Sequence, residues 1–280
     1  MKMQLDCLSC MLRQSLEASR MAGADSETQS QILDRVLEIL SGYRNYRCAP
    51  LLFSAVEQII REETGCADPY AAVKQRDIAA AQSVLPLLRS FLEARGNSLY
   101  WALKIAATGN ILDSAIYSSV DLEACLEREL TQDFTLCAWP EFHSRLQTAQ
   151  NILIIGDNAG EAVFDRILIE RLAPRTVTYA VRSQPAINDV TLDDARAAGL
   201  ESCARIVSSG CRVPGLILEQ CSAEFLDIFR QADLIISKGQ GNYEGLSDSC
   251  RGIFYLLKAK CPMIARAFAV PLNSYILASS

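Results

Sequence analysis

The chain has 280 residues, half of them hydrophobic, with 27 basic against 33 acidic side chains and a net charge of −6. That length and apolar content suffice for a substantial core and exclude a disordered or low-complexity chain. An acidic balance without a basic run excludes a nucleic-acid backbone as the main partner, while a local cation or a bound metal still permits a small anionic one.

From the N-terminus the pattern is helical. The opening MKMQLDCLSCMLRQ lacks an apolar core of signal-peptide length, and charges interrupt every later apolar stretch, so a cytoplasmic protein outside the membrane is expected. A first helix is predicted from Leu5 to Met21, ending near Gly23, and Ser26 with Gln29 reads as a capping box opening a second that runs to Gly42. Pro50 suits the first turn of a third helix ending near Gly65, and Asp68-Pro69 starts a longer helical stretch broken near Pro86. Further helices are predicted at Leu99–Ala107, Ile111–Ser118 and Leu122–Leu130, which makes residues 1–148 a helical region.

At Asn151 the period changes. Short β-branched runs at Ile152–Ile155, Val177–Val181, Ile206–Val207 and Leu234–Ile236 alternate with amphipathic segments at Ala162–Leu172, Leu192–Ala198 and Ala223–Gln231. Two more strands are predicted at Ile253–Leu257 and Tyr275–Leu277. Residues 149–280 therefore read as a doubly wound, mainly parallel α/β sheet carrying an N-terminal all-helical subdomain.

Each of the first four strands stops at a polar cluster: GDNAGE, RSQPAIND, SSG and SKGQGNYE. Ligands in open α/β sheets bind outside the carboxyl ends of the strands, so these clusters are expected to meet. Asp157 and Asn158 offer two hard oxygen ligands from one turn and Asp189 a third, a set that suits Mg²⁺ or Mn²⁺. Lys238, with Gly239 and Asn242 in the glycine-rich turn, is placed to receive an anion, and Ser208, Ser209, Gly210 and Arg182 are candidate donors at the same edge. Glu161 or Asp165 would orient or deprotonate the attacking water. The reaction expected of this set is hydrolysis of a small phosphorylated metabolite.

At GDNAGE-x-x-FD, IND, S-x-G-x-x-x-PG and KGQGN-x-E the chain resembles the damage-control phosphatase family, also called domain of unknown function 89. The resemblance runs over nearly the whole chain: the C-x-x-C of Cys7 and Cys10 and the GN-x-x-D of Gly109, Asn110 and Asp113 look like the family's microbial branch. It implies a helical N-terminal region beside a three-layer α/β/α domain, and a metal-dependent phosphatase of sugar phosphates or of nucleotide- and cofactor-derived phosphomonoesters, with Co²⁺ or Ni²⁺ as further metals. It also implies metal binding by Asp157, Asn158 and Asp189 and a phosphate contact by Lys238. One departure is visible: where the family often has a polar or acidic residue after the serine-glycine pair, this chain has Cys211 and Arg212.

Three other readings compete. Asp157 could act as a nucleophile, although no D-x-D pair accompanies it. GDNAGE could be the nucleotide turn of an S-adenosylmethionine-dependent carboxyl methyltransferase, but this turn spends two positions on Asp and Asn before its first interior glycine. The cysteines could form a metal-binding module without catalysis, Cys7 and Cys10 supplying half of it. The 11 cysteines are otherwise expected to be mostly buried thiols. Spacing leaves a homo-oligomer open.

Overall fold

The computed structural model describes residues 1–109 and 119–280; the helix predicted at Ile111–Ser118 and the motif residues Asn110 and Asp113 lie outside them. Three helices come first: α1 (Asp6–Met21), α2 (Ser26–Ser41) and α3 (Ala49–Thr64). They close around an apolar cluster of their own that includes Met11, Ile32, Val36, Leu52, Val56 and Ile60, residues recurring at helical spacing. The cap of α2 differs from the capping box expected at Ser26. Its N-cap is Asp25, whose carboxylate accepts from Thr28 N at 2.8 Å, because Ser26 already lies in the first helical turn. Gly65, at φ 67°, stops α3 in the left-handed conformation expected of a helix-terminating glycine.

Next come α4 (Ala71–Ser83), α5 (Leu85–Glu93), α6 (Leu99–Thr108) and α7 (Ser119–Leu130). The predicted break before Pro86 falls at Val84, between α4 and α5. The stretch expected to be helical up to residue 148 then contains a strand, β1 (Phe134–Cys137), ahead of α8 (Trp139–Leu146). β1 pairs in parallel with the last strand, so the sheet reaches back across the expected boundary. It is an edge strand of four residues with only Phe134 buried, too short to show alternation in sequence.

The remaining elements are β2 (Asn151–Ile155), α9 (Glu161–Leu172), β3 (Thr176–Val181), α10 (Leu192–Ala197), β4 (Arg205–Ser208), α11 (Ala223–Gln231), β5 (Leu234–Lys238), α12 (Gln240–Leu246), β6 (Phe254–Lys258), α13 (Pro262–Ala267) and β7 (Tyr275–Ser279). The seven strands lie in the order β1-β7-β6-β5-β2-β3-β4, parallel except for the β6–β7 pair. Because strand side chains alternate, Ile152, Ile154, Tyr179 and Ile236 face one apolar layer while Leu153, Ile155, Ala180 and Ile235 face another. α9, buried along nearly its whole length, belongs to the first layer; Phe225 and Phe229 of α11 belong to the second. This is the expected three-layer, mainly parallel α/β/α arrangement.

The strand order reverses between β2 and β5: from β2 the chain proceeds outward through β3 and β4, and from β5 through β6 in the other direction. Such a switch point leaves a crevice at the carboxyl ends of the two central strands. The loop after β2 carries Asp157, and the loop after β5 begins at Gly239, directly behind Lys238.

Candidate active site

The β2 and β5 loops touch at the switch point. Gly239 follows β5 with φ 72°, and a Cβ there would overlap the Asp157 carboxylate, so the carboxylate fills the notch that a missing side chain leaves. The turn after β2 lies beside the loop after β3. Asn158 and Asp189 form an antiparallel bridge, Val190 N donates to Asp157 O at 2.7 Å, and Ala159 N donates to Asn188 O at 2.9 Å. Asp157, Asn158 and Asp189 thus stand on adjoining backbone segments, all three buried.

Arg182, the residue after β3, ties these loops together and is 1% exposed. Its Nε donates to Asp189 Oδ2 at 2.7 Å and its Nη2 to Asn242 Oδ1 at 2.6 Å. Asn242 in turn donates to Gly156 O at 2.9 Å and Lys238 O at 2.7 Å, pinning the β5 loop to the β2 turn. Gly215 N adds a donor to Asp189 Oδ2 at 2.9 Å. Arg182 Nη1 is buried without a hydrogen-bond partner among the described residues, an N–H left over at the centre of the loops. Burial opposes the charge on Arg182, but Asp189 more than offsets it and the guanidinium pKa is raised.

Asp157, Asn158 and Asp189 fit a divalent cation by their chemistry: two carboxylates and a neutral amide, oxygen donors only, while the nearby buried thiol of Cys211 is engaged with the Gly215 and Ile217 backbone. Among the described residues no group of three or more His, Cys, Asp or Glu side chains is placed to hold a metal, which leaves the cysteine module without a ligand cage. All eleven cysteines are free; only Cys48 and Cys211 are buried, which corrects the expectation that most would be, since Cys7 and Cys125 lie on half-exposed helix faces and Cys66, Cys203, Cys221 and Cys261 in half-exposed loops or element ends.

Lys238 departs from the sequence reading. A phosphate contact beyond the strand was expected, but Lys238 is the last residue of β5, fully buried, and its side chain enters the layer of α6 and α9. Its ammonium donates to Ala106 O at 3.1 Å, to Asp165 Oδ1 at 2.5 Å and to Glu161 Oε1. Three acceptors match the three protons of a lysine, and a charge this deep must be paired. Glu161 and Asp165 are one turn apart on α9, so both reach the same ammonium, and neither has the open position expected of a water-activating base. Tyr179 Oη, missed in the sequence, donates to Asp165 Oδ2 at 2.7 Å. Burial raises the Asp165 carboxyl to about 6, against the opposing pull of Lys238.

The serine-glycine turn after β4 is largely occupied with itself. Ser209 Oγ donates to Val181 O at 2.8 Å and accepts from Cys211 N at 3.3 Å, while Ser208 Oγ accepts from Gly210 N at 3.2 Å. The donors predicted there shape the loop; the buried N–H left without a protein acceptor at the centre belongs to Arg182.

A second residue missed in the sequence is Glu57 on α3. Its Oε1 accepts from Ile187 N at 2.6 Å, across 130 residues, and holds the loop two positions before Asp189. Ile187 has φ 42°, a left-handed conformation unusual for a β-branched residue, so the loop needs such a clamp. Burial pushes the Glu57 carboxyl up to about 7. A carboxyl whose folded pKa exceeds its unfolded one binds more protons in the native state, so its effect is a loss of stability as pH rises from about 4.5 to about 7. Glu57→Gln, which retains an oxygen acceptor, is expected to flatten that slope by up to about 3 kcal/mol, read as the difference between urea unfolding at pH 4.5 and pH 7.5. An unchanged slope would show that Glu57 titrates normally.

Residues 3–276, nearly the whole chain, match the family model described as the damage-control phosphatase ARMT1-like domain. The chain belongs to the damage-control phosphatase family. A damage-control phosphatase of Pyrococcus horikoshii is 34% identical, with 99% of this chain and 97% of that protein covered. One from Archaeoglobus fulgidus is 30% identical over 99% of this chain and 98% of the relative. The crystal structure of a family protein from P. horikoshii superimposes with a TM-score of 0.92, covering 99% of this chain and 98% of that one. For the damage-control phosphatase fold, then, the Asp157 turn at the β2–β5 crevice is the natural place to look for chemistry.

Proposed function

We propose that this protein is a divalent-metal-dependent phosphatase that hydrolyses small phosphorylated metabolites. The observation that carries the reading is the meeting of three strand-end loops at the switch point: Asp157 against Gly239, Asn158 bridged to Asp189, and Arg182 spanning Asp189 and Asn242. Asp157, Asn158 and Asp189 would hold the cation, which when bound supplies Lewis acidity toward a phosphoryl oxygen. Arg182 orients Asp189 through Nε and offers Nη1 to an anionic oxygen, a charge-assisted donor already fixed in place. Lys238 acts at one remove, through its strand: its carbonyl anchors Asn242, and its ammonium holds α9 against the sheet. The names of the relatives support a phosphatase; the oxygen-only donor set supports a hard metal.

The test is release of inorganic phosphate from a panel of sugar phosphates, nucleotides and cofactor-derived phosphomonoesters, run separately with Mg²⁺, Mn²⁺, Co²⁺ and Ni²⁺ after chelation. Turnover of at least one phosphomonoester that requires added metal is expected. Metal-independent hydrolysis would overturn the cation site, and no hydrolysis of any ester would overturn the activity.

A further inference from the structure

A cavity of about 740 Å³ opens between α3 and the loops after β3 and β4, a size that suits a metabolite. Its wall carries Arg61 and Gln58 from α3, Gln184 from the loop of Arg182 and Asp189, Gly210 and Arg212 from the serine-glycine turn, and Gln220. No acidic residue lines it, so a chain with a net charge of −6 presents here two cations among amides. Arg61 Nη2 donates to Pro185 O at 2.5 Å, and its Nε is buried without a hydrogen-bond partner among the described residues. The carboxylate nearest Arg61, Glu57 Oε2, lies 3.7 Å from Nη2, and the other oxygen of Glu57 is engaged by Ile187 N. Arg212 is exposed and, among the described residues, has no carboxylate within ion-pair distance. Arg61 is thus held by Pro185 and paired with Glu57 on one side while its Nε is left over, and Arg212 carries no such partner among the described residues, so both retain donors for an anion.

The cavity also lies beside the catalytic loops. Gly210 belongs to its wall and to the turn beside Arg182, and Ser183 Oγ bonds the carbonyls of Gly210 and Cys211 at 3.0 Å, joining the two loops behind the wall.

We propose that this cavity binds a second anionic group of the substrate through Arg61 and Arg212, so that the preferred substrates are phosphomonoesters that also carry a carboxylate or another phosphate. The amides of Gln58, Gln184 and Gln220 serve the hydroxyls between the two anions. This rests on the phosphatase reading for turnover but not for binding.

Two matched pairs test it: 6-phosphogluconate against glucose 6-phosphate for the carboxylate, and glucose 1,6-bisphosphate against glucose 1-phosphate for the second phosphate. Affinity is read by calorimetry and turnover in parallel by phosphate release. At least one bis-anionic member is expected to bind about tenfold more tightly than its partner, and the pair that shows it identifies the second anion. Arg61→Gln and Arg212→Gln should each collapse that ratio toward one, with Arg212→Lys restoring part of it and far-UV circular dichroism unchanged. A preference that persists in both glutamine variants, or equal affinity within both pairs in the wild type, would overturn the proposal. Preference in binding without any phosphate release would leave the cavity assigned and overturn the phosphatase reading; release without preference would do the reverse.

Discussion

Asp157→Ala is expected to lower metal-dependent phosphate release by at least about a thousandfold while the fold persists. The size follows from position. Asp157 is the first side chain after a central strand, its carboxylate lies in the notch above Gly239, and its carbonyl accepts from Val190 N to hold the adjoining loop. The substitution removes the carboxylate but not the carbonyl, so the β2 and β3 loops stay joined and the loss falls on chemistry. Asp157→Asn keeps shape and one oxygen but lowers the charge offered to a cation, and should lie between the two. The measurement is phosphate release at saturating metal together with thermal unfolding. Near-normal activity in Asp157→Ala would remove this residue from the site.

The second large effect is on stability. Lys238→Met is expected to cost at least about 3 kcal/mol, a large fraction of the stability of a typical fold, because it leaves Glu161 and Asp165 buried and facing each other without their cation. pH separates this cause from simple misfit. Asp165 already has its carboxyl raised to about 6 by burial, and loss of the ammonium removes the main influence that lowers it. A raised carboxyl keeps its proton in the native state, so the variant should lose stability as pH climbs above the unfolded value near 4 and be weakest in alkaline solution. Urea unfolding at pH 5 and pH 8 reads the difference. Adding Asp165→Asn to Lys238→Met should recover part of the loss at pH 8; equal stability of wild type and Lys238→Met at both pH values would show that the buried triad contributes nothing.

Much of this arrangement is legible in the chain because strand ends declare themselves: a β-branched run that halts at GDNAGE or KGQGN places its polar residues at one edge. The switch between β2 and β5 follows from order in space and leaves no local trace. Lys238 shows the limit most clearly. Placed after the strand it would project from the edge; as the final strand residue it points into the α6–α9 layer, since each step along a strand changes the face. Glu57 was illegible for another reason: nothing in a helix interior announces a hydrogen bond to a backbone amide 130 residues away. β1 escaped notice because a four-residue edge strand with one buried side chain has no period to detect.

The most direct test is metal binding itself. Titration of the chelated protein with Mn²⁺, followed by electron paramagnetic resonance of the free ion, should give one site per chain in the wild type and a loss of that site in both Asp157→Ala and Asp189→Ala. One tight Mn²⁺ bound equally well by all three proteins would place the cation elsewhere and contradict the site at the β2–β5 crevice.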